Sequence, residues 1–243
     1  MNSIFDLLYP PRCPVCDGVR FFNEPVCCPP CREKLRFIDG PACMCCGRPL
    51  QSADTEYCYD CAKRKRSYER GISLGVYEGA LKDSVLRFKF SGREEYAAFY
   101  AACLAQRYRK QLHRFRPDVI LPVPMHKRKE RKRGYNQAAS LARELSGLIG
   151  IPTDESILLR TRYTSPQKEL NDVARLQNLL KAFAVEEEAL SAWKKDHPFQ
   201  RVILVDDIYT TGSTMEACAS LLRRAGAEAV MPVTVAVAGG YMQ

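Results

Sequence analysis

The sequence predicts an α/β protein built on a mainly parallel sheet with helices on both faces, preceded by a small cysteine-rich module. Three observations predict it. From residue 71 onward, short apolar runs alternate with segments whose apolar residues recur at helical spacing. Two of the runs, DVILPVP (118–124) and RVILVDD (201–207), are continuously apolar, as strands covered on both faces are. Before residue 71, eight cysteines stand in C-x-x-C pairs. At 243 residues the chain can hold one large domain with a smaller attachment. A composition of 46% hydrophobic and 27% charged residues is that of a folded globular protein and excludes a disordered chain. No apolar run is long enough to cross a bilayer. MNSIFDLLYPPRCP lacks the basic start and apolar length of a secretory leader, so a cytoplasmic protein without membrane insertion is expected.

The N-terminal module is expected to span 1–68. Its pairs are Cys13/Cys16, Cys28/Cys31, Cys43/Cys46 and Cys58/Cys61, and the second half repeats the first at an offset of 30 residues. Reduced cytoplasmic thiols in this density point to metal rather than disulfides. Four thiolates satisfy zinc tetrahedrally, and zinc would stabilise a segment too short to bury a core of its own. The expected sites are Cys13, Cys16, Cys28 and Cys31, then Cys43, Cys46, Cys58 and Cys61. An equal gap from Cys31 to Cys43 admits a crossed pairing as well. Neither set leaves a position for water, which argues for structural zinc. Gly18 and Gly47, close behind the first pair of each half, suit the tight turn of a metal knuckle. Cys27 and Cys45 fall off register, and Cys103 and Cys218 sit in helical patterns as core residues.

KRKRSYER (63–70) reads as a linker to the second domain, 69–243. GISLGVY (71–77) is strand-like, and 80–90 and 93–112 have helical spacing. A strand over 118–124 precedes a helix over 136–150 that ends at a glycine. A helix is expected at 168–180, a strand at 201–207, a helix at 214–227 with Gly226 as its stop, and a strand at 229–238. Ligands in such sheets bind beyond the carboxyl ends of the strands.

Two features lie at those ends. The first is charge. Residues 107–135 hold eleven Lys or Arg against Asp118 and Glu130, an excess of nine that equals the formal net charge of the whole chain, +9. An anionic partner is expected there. The second is the stretch VILVDDIYTTGST (202–214), an apolar strand followed by a hydroxyl-rich turn that opens a helix. Amides and hydroxyls of Thr210, Thr211, Ser213 and Thr214 can surround a phosphate at that helix N-terminus, and Gly212 allows close approach. Asp206 and Asp207 would repel the phosphate. They suit the hydroxyls of an attached sugar, or Mg²⁺. Helix capping accounts for one hydroxyl of this turn, not for two acids and four hydroxyls.

VILVDDIYTTGST resembles the phosphoribosyl-pyrophosphate (PRPP) signature of type I phosphoribosyltransferases. Together with PVPMHKRKERKRGYNQA (122–138), TSPQKELNDVARLQNLLKAF (164–183), LLYPPRCPVC (7–16) and the cysteine module, it makes the chain resemble the competence-associated ComF family over nearly its full length. The resemblance implies a type I phosphoribosyltransferase-like fold with an N-terminal double zinc ribbon. It implies that Asp206 and Asp207 hold the ribose hydroxyls as the catalytic acids, and that Thr210, Thr211, Gly212, Ser213 and Thr214 hold the 5′-phosphate. Met125, His126, Lys127 and Arg128 would follow a strand end as the pyrophosphate loop. Residues 131–137, with Arg133, Gly134 as hinge and Tyr135, would form a basic hood. Mg²⁺ would accompany PRPP. His126 is not assigned proton transfer.

Three functions are compatible with this reading. One is a PRPP-binding factor of DNA uptake and natural transformation that handles single-stranded DNA in the cytosol, with a competence helicase as possible partner. Another is a catalytic phosphoribosyltransferase of nucleotide metabolism that releases pyrophosphate, its acceptor unnamed. The third is a zinc-held adaptor with a degenerate pocket, against which the intact DDIYTTGST argues. For DNA, the cations of 107–135 could neutralise phosphates while Tyr108, Phe115 and Tyr135 stack on bases, though the same aromatics suit a core.

Overall fold

The computed structural model describes residues 10–21, 24–162 and 178–239. A four-stranded parallel sheet forms its centre, with β1 (Ile72–Val76), β6 (Ala229–Val237), β5 (Arg201–Tyr209) and β2 (Val119–Pro122) side by side in that order. Alternate residues of β5 point to opposite faces. Val202 and Leu204 join one core with the helices α8 (Glu187–Asp196) and α9 (Ser213–Arg224). Ile203 and Val205 join the other, with α3 (Gly79–Phe90), α4 (Tyr96–Arg107), α5 (Arg109–Phe115) and α7 (Gln137–Ile149). Both faces are thus covered, which is why β5 is apolar without alternation.

The elements read from the sequence are present, with four differences. The helix expected over 93–112 is broken at Tyr108 into α4 and α5. Strand β5 runs two residues past the expected end, to Tyr209, so the two acids lie inside the strand and not at its last positions. The basic stretch after β2 folds into a helix, α6 (Lys127–Arg133), capped by His126, whose side chain accepts from the Arg128 amide, and closed by Gly134 at φ 91°. Arg and Lys are good helix formers, which suits this stretch to a helix. A short antiparallel pair, β3 (Leu158–Arg160) with β4 (Phe183–Val185), lies apart from the main sheet. Of the helix expected at 168–180, residues 168–177 lie outside the described residues.

The cysteine module is a duplicate in its hydrogen bonds as well as its sequence. Cys13 N–H donates to Gly18 O, and Cys43 N–H to Arg48 O. Asp17 N–H donates to Cys13 O, and Gly47 N–H to Cys43 O. Each half contains a short helix carrying its last cysteine, α1 (Pro29–Arg32) and α2 (Tyr59–Lys63). The left-handed position of the knuckle falls on Gly47 in the second half (φ 74°) but on Asp17, not Gly18, in the first (φ 60°). Asp17 is held there by Arg93, in the loop before α4, in two bonds of 2.7 Å each, and by the Tyr96 hydroxyl of α4 at 2.6 Å. Burial opposes its charge, but these donors win and hold the carboxyl below its ordinary range.

The halves also diverge in what they pack against. Cys13, Cys27 and Cys31 enter the core of α3 and α4, whereas Cys43, Cys45, Cys46, Cys58 and Cys61 enter that of α9. The stretch read as a linker is docked rather than free. Ser67 donates to Glu216 of α9 through its amide (3.0 Å) and hydroxyl (2.7 Å), and Tyr68 is buried.

Asp17 gives a test of this arrangement. Asp17→Ala and Asp17→Gly both lose the Arg93 and Tyr96 contacts, but only alanine retains the left-handed backbone penalty. Denaturant unfolding is expected to rank wild type above Gly and Gly above Ala, the last two separated by about 1 kcal/mol. Equal stability of the two variants would contradict the strain assignment.

Candidate ligand site and metal centres

The eight predicted thiols form two separate groups, Cys13, Cys16, Cys28 and Cys31, then Cys43, Cys46, Cys58 and Cys61, each with its sulfurs within 4.8 Å of one another. The crossed pairing is therefore not the one adopted. A tetrahedral zinc with bonds of about 2.3 Å sets its sulfurs about 3.8 Å apart. Cys16 and Cys28 stand 3.8 Å apart, Cys46 and Cys58 3.8 Å, and Cys13 and Cys28 3.5 Å. Thiol hydrogen bonds from Cys46, Cys58 and Cys61 push Cys43 far below the ordinary thiol range, while the Cys43 thiolate and its neighbours raise Cys46. Without a cation such a cluster holds few thiolates; a dication lets all four ionise. Both groups fit structural Zn²⁺. Cys27 and Cys45 stay outside them, both buried, with Cys45 Sγ directed to the Tyr68 carbonyl.

The second site lies at the carboxyl end of β5. Asp206 follows Val202 and Leu204 on one face and Asp207 follows Ile203 and Val205 on the other, so the adjacent carboxyls diverge. Lys89, from the last turn of α3, pairs with Asp207 at 2.9 Å. Burial, then the neighbouring Asp207 charge, raises the Asp206 carboxyl to about 7, against the pull of Lys89 and Arg160. Asp206 also accepts the Asp207 amide at 2.8 Å.

Beyond Tyr209, the turn leads into α9 through Gly212, whose φ of 77° closes the approach to the helix. A side chain at Gly212 would collide with the hydroxyls of Tyr209 and Tyr68, which bond each other at 2.6 Å. Thr211 and Ser213 hydroxyls meet at 2.9 Å. Thr210 is exposed, Thr211 and Thr214 are partly open, and Ser213 is buried at the first turn.

Helix α6 carries the basic stretch over this end of the sheet. Lys127, Arg128, Arg131 and Lys132 are exposed, whereas Lys129 and Arg133, four residues apart, face inward. Burial, then the positive charges of Arg160, Arg133 and Lys89, lowers the proton affinity of Lys129. Lys89, Lys129 and Arg160 therefore share one electrostatic neighbourhood with the two acids. None of these three was singled out from the sequence. Met125 and His126 lie half-buried on the segment between β2 and α6, with His126 capping the helix. Gly134 ends α6, and Tyr135 turns away from the hood into the core, where its hydroxyl donates to the Phe88 carbonyl. That bond steadies the turn of α3 bearing Lys89.

The base-stacking candidates do not form an open surface. Phe115 and Tyr135 are buried, and the Tyr108 hydroxyl is tied to the Ser73 carbonyl at 2.5 Å. Large exposed aromatics among the described residues are Phe21, Tyr57, Tyr59 and Phe90, the last with the Arg133 guanidinium 4.8 Å from its ring centre.

The family model described as a phosphoribosyl transferase domain matches residues 95–240, and that of a double zinc ribbon domain matches residues 4–62. Competence protein F of Haemophilus influenzae is 36% identical over 171 residues, covering 69% of this chain and 72% of that protein. This chain belongs to the ComF family. Its similarity extends to the DNA utilization protein YhgH of Escherichia coli strain K12, 32% identical over 169 residues (67% of this chain and 70% of that one). It extends also to competence protein ComFC of Bacillus subtilis strain 168, 28% identical over 157 residues (63% and 58%). The parallel sheet with helices on both faces is the phosphoribosyltransferase fold of this ComF chain, and the paired tetrathiolates are its double zinc ribbon. No helix among the described residues is long and apolar enough to cross a membrane.

Asp206 makes this ComF site testable through stability. A carboxyl whose folded pKa is raised contributes stability that is complete below its unfolded pKa, near 4, and is lost as pH rises through about 7. Asp206→Asn keeps the acceptor for the Asp207 amide and removes the titration. Its melting temperature at pH 8 is expected to exceed that of wild type by about 2–4 °C. A lower value at pH 8 would contradict the like-charge assignment.

Proposed function

We propose that this chain binds PRPP with Mg²⁺ at the end of β5 and acts in DNA uptake and utilisation, handling single-stranded DNA in the cytosol. The observation that carries the PRPP reading is the division of charge at that end. Two acids lie beside an amide-rich turn at a helix N-terminus, with Lys89, Lys129 and Arg160 around them. The turn over 210–214 would take the 5′-phosphate. Asp206 and Asp207 would take the ribose hydroxyls. Lys129, Arg160 and the exposed cations of α6 would face the pyrophosphate with its Mg²⁺, and the metal would neutralise part of that charge. Lys89 now stands as counter-charge to Asp207, and a bound ribose would compete with it.

The DNA role draws on the relatives named for competence and DNA utilisation, and on the row of exposed cations along α6. Polyanion binding through such cations weakens steeply with salt. The cation cluster around the acids also favours a second reading, catalytic transfer with pyrophosphate as the leaving group. Charge there would stabilise a departing anion while the carboxylates face a positive sugar. Pyrophosphate release in the presence of candidate acceptors separates the two readings.

Titration calorimetry of PRPP in the presence of Mg²⁺ tests the pocket. Wild type is expected to bind, and Asp206→Asn with Asp207→Asn to lose at least tenfold in affinity, the scale of a lost charged hydrogen bond. Undiminished binding by the double variant would refute the assigned site.

A further inference from the structure

We infer that the second ribbon positions the phosphate turn, with Arg48 and Arg66 as positioning residues that aim its amides at the ligand. The inference rests on reading 210–214 as the 5′-phosphate site. Arg48 Nη2 donates to the Thr210 carbonyl at 3.3 Å, and Arg66 Nη2 to the Thr211 carbonyl at 3.1 Å. In a trans peptide the C=O and the following N–H point in opposite directions. Two guanidinium groups that hold consecutive carbonyls toward the ribbon therefore turn the amides of Thr211 and Gly212 to the other side. Gly212, left-handed at φ 77°, continues that row into the first turn of α9, making a concave set of donors of the kind that cradles anions. Each guanidinium also places positive charge behind the peptide it holds.

Arg48 is itself held by both knuckles of the second zinc site. It follows Cys46 and Gly47 directly, its carbonyl accepts the Cys43 amide at 2.7 Å, and its Nη1 bonds Asp60, between Cys58 and Cys61, at 2.9 Å. Its side chain is only 6% exposed. Around it, Tyr68 bonds Tyr209 and Ser67 bonds Glu216, so the strand end, the turn and the first turn of α9 are all gripped from the ribbon side. The internal repeat supplies its own control. Thirty residues before Arg48 stands Gly18, which has no side chain, and the first ribbon instead anchors on Tyr96 of α4 and on Arg93 just before it through Asp17. One copy braces a helix; the other braces the ligand turn.

Calorimetry on Arg48→Gln and Arg66→Gln, singly and together, tests this with PRPP and Mg²⁺, ribose 5-phosphate and pyrophosphate as ligands. Affinity for PRPP and for ribose 5-phosphate is expected to fall on the order of tenfold in each single variant, as for a misaligned donor to a charged phosphate, with pyrophosphate affinity unchanged. Should Arg48→Gln release zinc or fail to fold, Arg66→Gln decides alone, since Arg66 lies outside the cysteine repeat. Wild type binding PRPP with Arg66→Gln binding it as tightly overturns this inference and leaves the pocket reading standing. An equal loss for pyrophosphate also overturns it, because the effect would then be general. Wild type that binds neither PRPP nor ribose 5-phosphate overturns the pocket reading and this inference with it.

Discussion

Adjacent carboxyls at the end of a buried parallel strand set the terms for everything around them. Two acids on neighbouring residues, partly out of water, resist ionising together, and burial, then the Asp207 charge, pushes the Asp206 carboxyl up. A protein keeps such a pair only with cations to hand. Lys89 meets Asp207 from α3, Arg160 approaches from β3, and Lys129 from α6, so three otherwise unrelated elements converge on one strand end. Of the basic excess over 107–135, the cations of α6 reach this end of the sheet, whereas Arg109, Lys110 and Arg114 lie on α5.

The turn proposed to take the phosphate is bonded from behind by Arg48 and Arg66 of the N-terminal side. A turn rich in small hydroxyl residues is soft on its own, and Gly212 makes it softer. Here the ribbon, the segment after it and the buried tyrosine pair hold that turn from behind. The two modules consequently share cores, and the segment between them is part of the packing. Structural zinc would supply folding energy to the ribbon and, through it, bear on the turn that the ribbon holds.

Much of this was legible in the sequence for physical reasons. Continuous apolar runs marked strands buried on both faces, and the cysteine repeat marked its own metal sites because thiol spacing is a covalent fact. The paired acids and the Thr-Gly turn were visible because both halves are local in sequence. What escaped was nonlocal. Lys89 sits in an ordinary helical pattern, and nothing in FKF distinguishes it from a solvent lysine. Lys129 was hidden among like cations, since only the folded helix separates its inward face from Lys127 and Arg128. Arg48, behind a metal knuckle, and Arg66, in a stretch read as a linker, carry no local mark of the turn they reach. For Tyr135, Phe115 and Tyr108 the sequence left two readings open, as aromatic residues beside basic ones fit a core and a nucleic-acid face equally well, and the fold takes the core reading for Phe115 and Tyr135. The turn position of the first knuckle went to Gly18 by propensity, but tertiary bonds from Arg93 and Tyr96 hold Asp17 there instead.

In the proposed function, one ligand is divided between acids, turn and cations. The most direct measurement is the crystal structure of the protein with PRPP and Mg²⁺. The expected result is a phosphate on the amides of Thr211 to Thr214, ribose hydroxyls on Asp206 and Asp207, and Lys89 displaced from Asp207. A ligand bound elsewhere, with the turn empty and the Lys89–Asp207 pair intact, would contradict it.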